Sequence, residues 1–457
     1  MTIDMLQDKI RGRSAVAAVI GLGYVGLPMA AAIARAGYRV RGVDIDAGKV
    51  ATLRSGHSYC LDVSDGALAS VLAADDGQSP GSEGGFWPGT DFAALAEADI
   101  AILCVPTPLD GRHRPDISFI RSALDGAIPH LRRGCLVVLE STTYPGTTDE
   151  LIRTAIERAR GWKAGEDYCL CYSPERVDPG SLHYSVTNTP KIVGGVTARC
   201  LEAGTAFYAS FLDRVVPVSS PAVAETAKLF ENTFRSVNIG LVNELAPVCE
   251  RLGISVWEVL DAAATKPFGF LPFYPGPGIG GHCIPVDPLY LSWKSKSLGL
   301  PVAFIELADR INRGQPRRLV RRIQELLKER GLKLRGAHIL LSGIAYKKDI
   351  DDVRESPALD LFRLLRRKGA AVSYADPYVA SFRLGKKTVA SLKGGPAVWA
   401  DADLVVITTD HSGVDYQAMA DHAPLILDTR NATRGCRGGR IVLLGGGRAG
   451  GEENHAQ

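Results

Sequence analysis

Short apolar runs of strand length alternate with longer stretches of helical spacing along most of the chain. Runs at 14–20, 38–43, 99–105, 136–140 and 167–172 have the composition of buried strands, and a second series follows at 337–341, 371–374, 403–408 and 424–427. A long helix is expected from 222 to about 253, with apolar residues at Ala227, Phe230, Phe234, Val237, Leu241 and Leu245. Lys228, Asn232 and Arg235 share another face of it. That polar stripe reads either as a solvated face or, on a helix linking two domains, as one turned toward a ligand. Further helices are expected at 305–312 and 317–330. Strand and helix alternating twice over imply two parallel sheets. The expected domains are 1–218, a central helical segment 219–330, and 331–444, with a disordered glycine-rich tail at 445–457. The glycine- and serine-rich stretch 75–89 is expected to be a flexible surface loop. Residues 15–34 carry no charge, but three glycines and a proline punctuate them, so they read as strand, turn and helix rather than a membrane span.

The first such turn carries chemistry. Gly21-Leu-Gly23-Tyr-Val-Gly26 lies between a strand and an alanine-rich helix, and Asp44 stands 18 residues beyond the last glycine, at the end of the next strand. The glycines permit a tight turn and let a pyrophosphate approach the helix N-terminus, where free N–H groups and the dipole favour negative charge. Asp44 suits a ribose diol and repels a 2′-phosphate, which favours NAD over NADP. The fold class is therefore α/β, two Rossmann-like doubly wound domains joined by a central helical segment. In the second domain the phosphate fingerprint gives way to Gly343-Ile-Ala-Tyr-Lys-Lys-Asp-Ile-Asp-Asp-Val-Arg354, whose Lys347 and Arg354 suit a phosphorylated ligand. Ser356-Pro357 then opens a helix as N-cap and first-turn proline. Loops 106–108, 141–143 and 173–176 follow strand ends, where open parallel sheets bind ligands.

Totals narrow the partners. The chain has 457 residues, 46% hydrophobic and 23% charged, with 53 basic against 50 acidic side chains. That balance gives no case for nucleic acid. Nine scattered cysteines without a CxxC pair argue for a reducing compartment, the cytoplasm, and against disulfides or a metal site.

One thiol stands apart. Residues 276–287 read Gly-Pro-Gly-Ile-Gly-Gly-His-Cys-Ile-Pro-Val-Asp. Cys283 thus sits on a stiff, narrow loop with Asp287 four residues on. Alone, it reads as a small buried hydrophobe. It becomes a candidate nucleophile if the chain supplies a carbonyl to attack.

Together GLGYVGLP, CVPTP, ESTTYPGTT, YSPERVDPG, ETAKLFENTF, PGPGIGGHCIPVDP and YKKDIDDVRESP resemble the UDP-glucose/GDP-mannose (nucleotide-sugar) dehydrogenase family, from Gly21 to about Asn431. The SPERVDPG, PFGFLPFYPGPG and YKKDIDDVRESP runs look most like the bacterial branch acting on UDP-N-acetylhexosamines, with UDP-N-acetyl-D-glucosamine foremost. The resemblance implies a four-electron oxidation of the sugar's C6 hydroxyl to a carboxylate with two NAD⁺, through a thiohemiacetal and a thioester on Cys283. It makes Lys228 an oxyanion and proton-transfer group, lets Asn232 hold the C6 oxygen, and sets Asp287 beside Lys228. Thr142 and Glu175 match positions that order the hydrolytic water. Arg176, Val177, Arg235 and Gly280 match sugar-nucleotide contacts, as do Tyr346 and Lys347, with Lys228 and Asn232 also touching the sugar. For the cofactor, Gly21, Gly23, Tyr24, Val25, Gly26, Asp44, Lys49, Thr107 and Thr142 match, and Arg354 matches a position reaching the active site. Family members dimerise through the central helix, so a homodimer or larger homo-oligomer is implied. The UDP-glucose branch carries an acid where this chain has Pro179, which turns the expectation away from UDP-glucose. UDP-N-acetylmannosamine and UDP-N-acetylgalactosamine are the alternative sugars. A two-electron hydroxyacid dehydrogenase, which needs no thiol, and an idle NAD/UDP-sugar-binding regulator are the alternative functions.

Overall fold

The computed structural model describes residues 1–60, 62–73, 84–111, 113–177 and 183–447. Pro179, most of the 75–89 stretch and 448–457 of the expected tail lie outside them. The chain divides into two compact units, Met1–Glu231 with Trp293–Leu300, and Asn232–Ser292 with Pro301–Gln457.

The first unit opens with α1 (Ile3–Arg11), β1 (Val16–Ile20), α2 (Gly26–Arg35), β2 (Arg39–Val43), α3 (Ala47–Arg54), α4 (Asp65–Ala69), β3 (Gly85–Gly89) and β4 (Ile100–Leu103). It continues through α5 (Ser118–Ala127), β5 (Leu136–Leu139), a π-helical turn Thr148–Arg153, α6 (Thr154–Arg160), β6 (Cys169–Tyr172), β7 (Lys191–Gly195), α7 (Ala198–Ala209) and β8 (Val215–Val218). Its strands form one sheet ordered β3-β2-β1-β4-β5-β6-β7-β8, parallel except where β6 meets β7. β1, β4, β5 and β6 are buried throughout, as strands covered on both faces must be, which explains their unbroken apolar runs. Leu6, Leu27, Met29, Phe86 and Phe207 fill one face, and Ile20, Leu103, Ile120, Leu139 and Tyr172 the other. Each such side chain contributes about 1.5–3 kcal/mol by leaving water. Residues 85–89, expected in a loop, instead form edge strand β3 paired with β2. Backbone pairing there overrides glycine's weak strand preference. The uncharged 15–34 stretch is β1, the glycine turn and α2. Among the described residues no helix is long and apolar enough to cross a membrane.

The chain then runs through α8 (Pro221–Leu252), α9 (Val256–Ala264), α10 (Asp287–Ser297) and α11 (Ala303–Glu329). The unit boundary falls inside α8 and again inside α10. The two helices expected at 305–312 and 317–330 are one, with Pro316 inside. Pro316 cannot donate to the Asn312 carbonyl. Side-chain bonds hold this region to α8: Asn312 Nδ2 donates to Ser236 O at 3.0 Å, and Asn243 Nδ2 donates to Asn312 Oδ1 at 3.0 Å.

The second unit's sheet uses β9 (His338–Ser342), β10 (Ala371–Ala375), β13 (Leu404–Ile407), β14 (Ile426–Asp428) and β15 (Ile441–Leu443) in the order β10-β9-β13-β14-β15, all parallel. A hairpin of β11 (Ser381–Leu384) and β12 (Lys387–Ala390) is an addition the apolar pattern does not announce. The helices are α12 (Pro357–Arg367), capped by Ser356, α13 (Pro396–Ala400) and α14 (Tyr416–His422). Residues 445–447, expected in the disordered tail, are described: Gly445 N donates to Glu250 Oε1 at 2.9 Å and Gly445 O accepts from Val256 N at 2.7 Å.

Candidate active site

The glycine turn after β1 is built as its spacing demands. Gly21 holds φ +90°, and a Cβ there would lie 2.6 Å from Cys104 O. A Cβ on Gly26 would overlap Gly21 O at 1.8 Å, so α2 packs directly on the turn. Gly23 meets nothing within 4 Å, leaving room for a phosphate against the backbone. Asp44, buried at the end of β2, accepts from Leu22 N at 2.8 Å and from Asp46 N at 2.9 Å, and Lys49 Nζ lies 3.7 Å from it. Turn, helix N-terminus and acid fit NAD. Tyr24 is exposed and Val25 half-buried at the start of α2.

The loops after β4, β5 and β6 leave the same ends of three neighbouring parallel strands. Thr107 and Thr142 are half-buried on the first two, which Ser141 Oγ ties together by donating to Val105 O at 2.7 Å. Glu175, on the third, accepts from Arg176 N at 2.7 Å and Val177 N at 2.6 Å. The Arg176 guanidinium pairs with Glu231 at 2.6 Å and donates to Pro190 O, anchoring this loop to α8.

On α8 the polar stripe is not a solvated face at Lys228 and Asn232: Lys228 is 8% exposed and Asn232 7%, and Glu225, Ser236 and Asn243 on the same helix are also buried. The apolar ridge is divided: Phe230 is 63% and Leu241 61% exposed, whereas Ala227 and Leu245 pack against buried clusters. Arg235 is exposed. Glu225 accepts from Gly146 N, Thr148 N and Thr148 Oγ1 at 2.6–2.9 Å, which fixes α8 to the loop that carries Thr142. Burial pushes its carboxyl above the ordinary range.

In the second unit the cysteine loop is pinned on several sides. Gly276 N donates to Asn243 Oδ1 at 3.0 Å. Gly278 packs where a Cβ would lie 3.2 Å from Asn312 O, the carbonyl that Pro316 leaves without its usual donor. Gly281 N donates to Arg354 O at 3.0 Å. Cβ atoms on Gly280 and Gly281 would lie 2.4 and 2.9 Å from Tyr346, so thiol loop and Tyr346 loop press together with nothing but glycine between them. Cys283 O accepts from Val286 N and Asp287 N in a tight turn leading into α10, and Asn232 Nδ2 donates to Asp287 Oδ2 at 2.5 Å. Lys347 is half-buried near Tyr346, and the Arg354 guanidinium forks onto Asp352 at 2.6–3.0 Å.

None of the nine cysteines is in a disulfide; seven are buried, and Cys283 and Cys436 are partly exposed. Burial pushes the Cys60 thiol up to about 11 and Cys135 up to about 12. A hydrogen bond from Cys169 brings Cys200 down to about 6, but Cys200 is wholly enclosed on α7 and out of reach of a substrate. Among the described residues no group of three or more His, Cys, Asp or Glu could hold a metal ion.

Three family models match in order: the NAD binding domain of the UDP-glucose/GDP-mannose dehydrogenase family over residues 15–212, its central domain over 222–314 and its UDP binding domain over 340–435. The chain is 35% identical over 422 residues to a UDP-N-acetyl-D-mannosamine dehydrogenase of Pyrococcus horikoshii, covering 91% of this chain and 95% of that one. It is 36% identical over 365 residues to a UDP-N-acetyl-D-glucosamine 6-dehydrogenase of Pseudomonas aeruginosa, covering 80% and 83%. A solved structure of a UDP-D-ManNAc dehydrogenase from Pyrococcus horikoshii superposes with TM-score 0.84 at 32% identity, covering 94% of this chain and 99% of that one. The chain belongs to the UDP-glucose/GDP-mannose dehydrogenase family. It is an NAD-dependent oxidoreductase of the nucleotide-sugar dehydrogenase class.

Sequence reasoning missed the groups that hold these residues in place: Glu140, Lys191, Glu225, Asn243, Asn312, Asp376 and His411. Glu140 and Glu225 lie inside recognised motifs, so a signal existed. Lys191 opens an apolar run, where a lone lysine reads as a solvated strand end.

Proposed function

We propose that this chain oxidises the C6 hydroxyl of a UDP-N-acetylhexosamine to the carboxylate, with UDP-N-acetyl-D-glucosamine the first candidate and Cys283 as the nucleophile. The observation that carries this reading is Cys283 itself. It is a partly exposed thiol on a glycine loop pinned by Asn243 and Tyr346, one turn from the Asn232–Asp287 pair. When bound, NAD supplies the hydride acceptor for each of the two oxidations. Lys228 and Asn232, one turn apart on α8, hold the C6 oxygen, and Lys228 stabilises its negative charge and assists proton transfer. The Cys283 sulfur adds to the aldehyde carbon, and the thioester that follows oxidation is opened by a water that Thr142 and Glu175 order, with Asp287 beside it. Arg176, Val177, Arg235 and Gly280 contact the sugar nucleotide, Tyr346 and Lys347 cradle it, and Arg354 completes the site. Tyr24, Val25, Lys49 and Thr107 line the cofactor. The functional domains are 1–218, 219–330 and 331–444.

UDP-N-acetyl-D-mannosamine is the second reading, favoured by the relatives that carry that activity in their names. NADH formed per sugar consumed, with each acetylated UDP-hexosamine and UDP-glucose offered separately, tests both. Two NADH from one acetylated sugar support the reading and name the sugar, whereas one NADH per sugar returns it to a two-electron dehydrogenase. Cys283→Ala must make no acid.

The exposed Phe230, Phe234 and Leu241 on α8 support a homodimer through that helix. Sedimentation equilibrium of the wild type and of Leu241→Glu tests it, and a wild-type monomer refutes it. Nine cysteines without a disulfide support a cytoplasmic location, which fractionation of the source cells checks.

A further inference from the structure

One charged cluster of the first unit joins Glu175 to groups that have no part in the chemistry just described. Lys191 opens β7 with its side chain 4% exposed. Its Nζ lies 3.0 Å from Glu140 Oε2 and 3.6 Å from Glu175 Oε2. Glu140 ends the β5 run and is wholly enclosed, and its Oε1 accepts from Tyr208 Oη at 2.5 Å. The Tyr208 ring lies under the ammonium, 5.3 Å from its centroid. Glu175 is thereby held at both oxygens: Oε1 by the Arg176 and Val177 amides, Oε2 by the ammonium.

Two carboxylates sharing one cation inside a protein are a poor way to gain stability. Desolvating such ions costs several kcal/mol each, and an apolar trio of the same volume packs as well or better. Burial by itself drives Lys191 down, yet Glu140 and Glu175 more than reverse that and hold it above the usual lysine range. Burial pushes Glu140 up. Strongly perturbed buried charges of this kind cluster where chemistry is done. Glu140 and Lys191 are in the core, and Glu175 alone reaches the loop at the strand ends. The cluster therefore transmits a fixed position from the core to that loop.

We propose that Lys191 is a positioning residue for Glu175, fixing its carboxylate for the release of the acid product, a role that rests on the thioester reading above. In that step the water oxygen bonds to the acyl carbon and the carbon–sulfur bond breaks. The Cys283 sulfur leaves with the bond's electron pair as a thiolate, and of water's two protons one passes to the carboxylate of Glu175 and the other stays on the acid product. Neither NADH-forming step needs Glu175 in this place, so the loss of Lys191 is felt after them.

The test uses the full chain with NAD and UDP-N-acetyl-D-glucosamine or UDP-N-acetyl-D-mannosamine, whichever the wild type consumes. Stopped-flow NADH formation and the intact mass of acid-quenched protein are read together. Lys191→Met should keep KM for both substrates within about threefold and retain the NADH burst. Steady turnover should fall by about 10²-fold, with a covalent sugar adduct building up on Cys283. Lys191→Arg should restore part of the turnover. A Met variant that turns over like the wild type, or that loses burst and turnover together, overturns the inference. Should the Met variant fail to fold, Glu140→Gln carries the test. It leaves the ammonium to Glu175 alone, so the adduct must not accumulate, and slowed release would overturn the proposal. A wild type that forms neither two NADH per sugar nor a transient adduct overturns the underlying reading instead.

Discussion

The two sheets begin their ligand loops alike and finish them differently. After β1, Gly21 turns at φ +90° and the next amide, Leu22 N, donates to Asp44 at the end of β2. After β9, Gly343 turns at φ +86° and the next amides, Ile344 N and Ala345 N, donate to Asp376 just beyond β10. The frame is the same: a glycine the neighbouring strand's exit leaves no room to replace, and an acid that holds the turn. The first loop then enters α2 at once, with Gly23 open and lone pairs of Asp44 still available. The second runs on to Ser356 before α12. Its Asp376 also accepts from Tyr378 N, Val379 N and His411 Nε2, the last at 3.0 Å. His411 Nδ1 accepts from Asp349 N, which places the ring proton on Nε2. An acid used up in this way has nothing left for a ribose diol. The comparison teaches that a glycine and an acid make the turn, while the dinucleotide site needs the open second glycine and the unspent carboxylate.

The largest effect should come from giving the turns a side chain. A Cβ on Gly21 would lie 2.6 Å from Cys104 O, and one on Gly343 2.5 Å from Thr409 Cβ. With positive φ added, Gly21→Ala should weaken NAD binding by about a hundredfold and leave UDP binding intact, and Gly343→Ala should do the reverse. Calorimetric titration of each variant with NAD and with UDP decides it, and equal losses of both ligands would dissolve the comparison.

Asp376→Asn comes next. Burial alone would raise this carboxyl, but the His411 bond and the Ile344 and Tyr378 amides outweigh it and hold it below the ordinary range. A depressed carboxyl stabilises the fold above its unfolded value of about 3.9, and that stability is lost as pH falls through the depressed value. Substitution should cost the second unit about 1–3 kcal/mol at neutral pH and flatten its loss of thermal stability on acidification below about pH 4. Melting curves across pH read both.

Asp44→Ala should be milder. Its expected outcome is a roughly tenfold loss in preference for NAD over NADP, read from the ratio of kcat/KM values. Lys49→Ala should be the mildest. The pair with Asp44 is long, 3.7 Å, and the lysine partly exposed, so about 0.5 kcal/mol or less is expected in NAD binding. A larger loss would mean that the contact of Lys49 with the cofactor outweighs its pair with Asp44.

Much of this was legible because it is local. Glycine spacing, the acid at the end of β2, the Ser356-Pro357 cap and the fully buried strands follow from backbone geometry and nearest neighbours in sequence. The errors share one cause. Residues 85–89 look like loop until β2 offers them a ladder. Pro316 looks like a helix end until Asn312, Asn243 and Ser236 hold the turns around it together.

The fold class, the NAD turn, the thiol loop and the family were determined by sequence alone, since each is a short pattern with a mechanical reason. Tertiary structure decided which face of α8 is buried. Periodicity separates an apolar ridge from a polar stripe but does not say which one faces in. Here partners distant in sequence pair with the polar stripe: Glu225 with the Gly146–Thr148 turn, Asn232 with Asp287, Asn243 with Gly276. It decided Lys191 in the same way. A buried charge is tolerable only where opposite charges converge on it, and those lie 51 and 16 residues away along the chain, at Glu140 and Glu175.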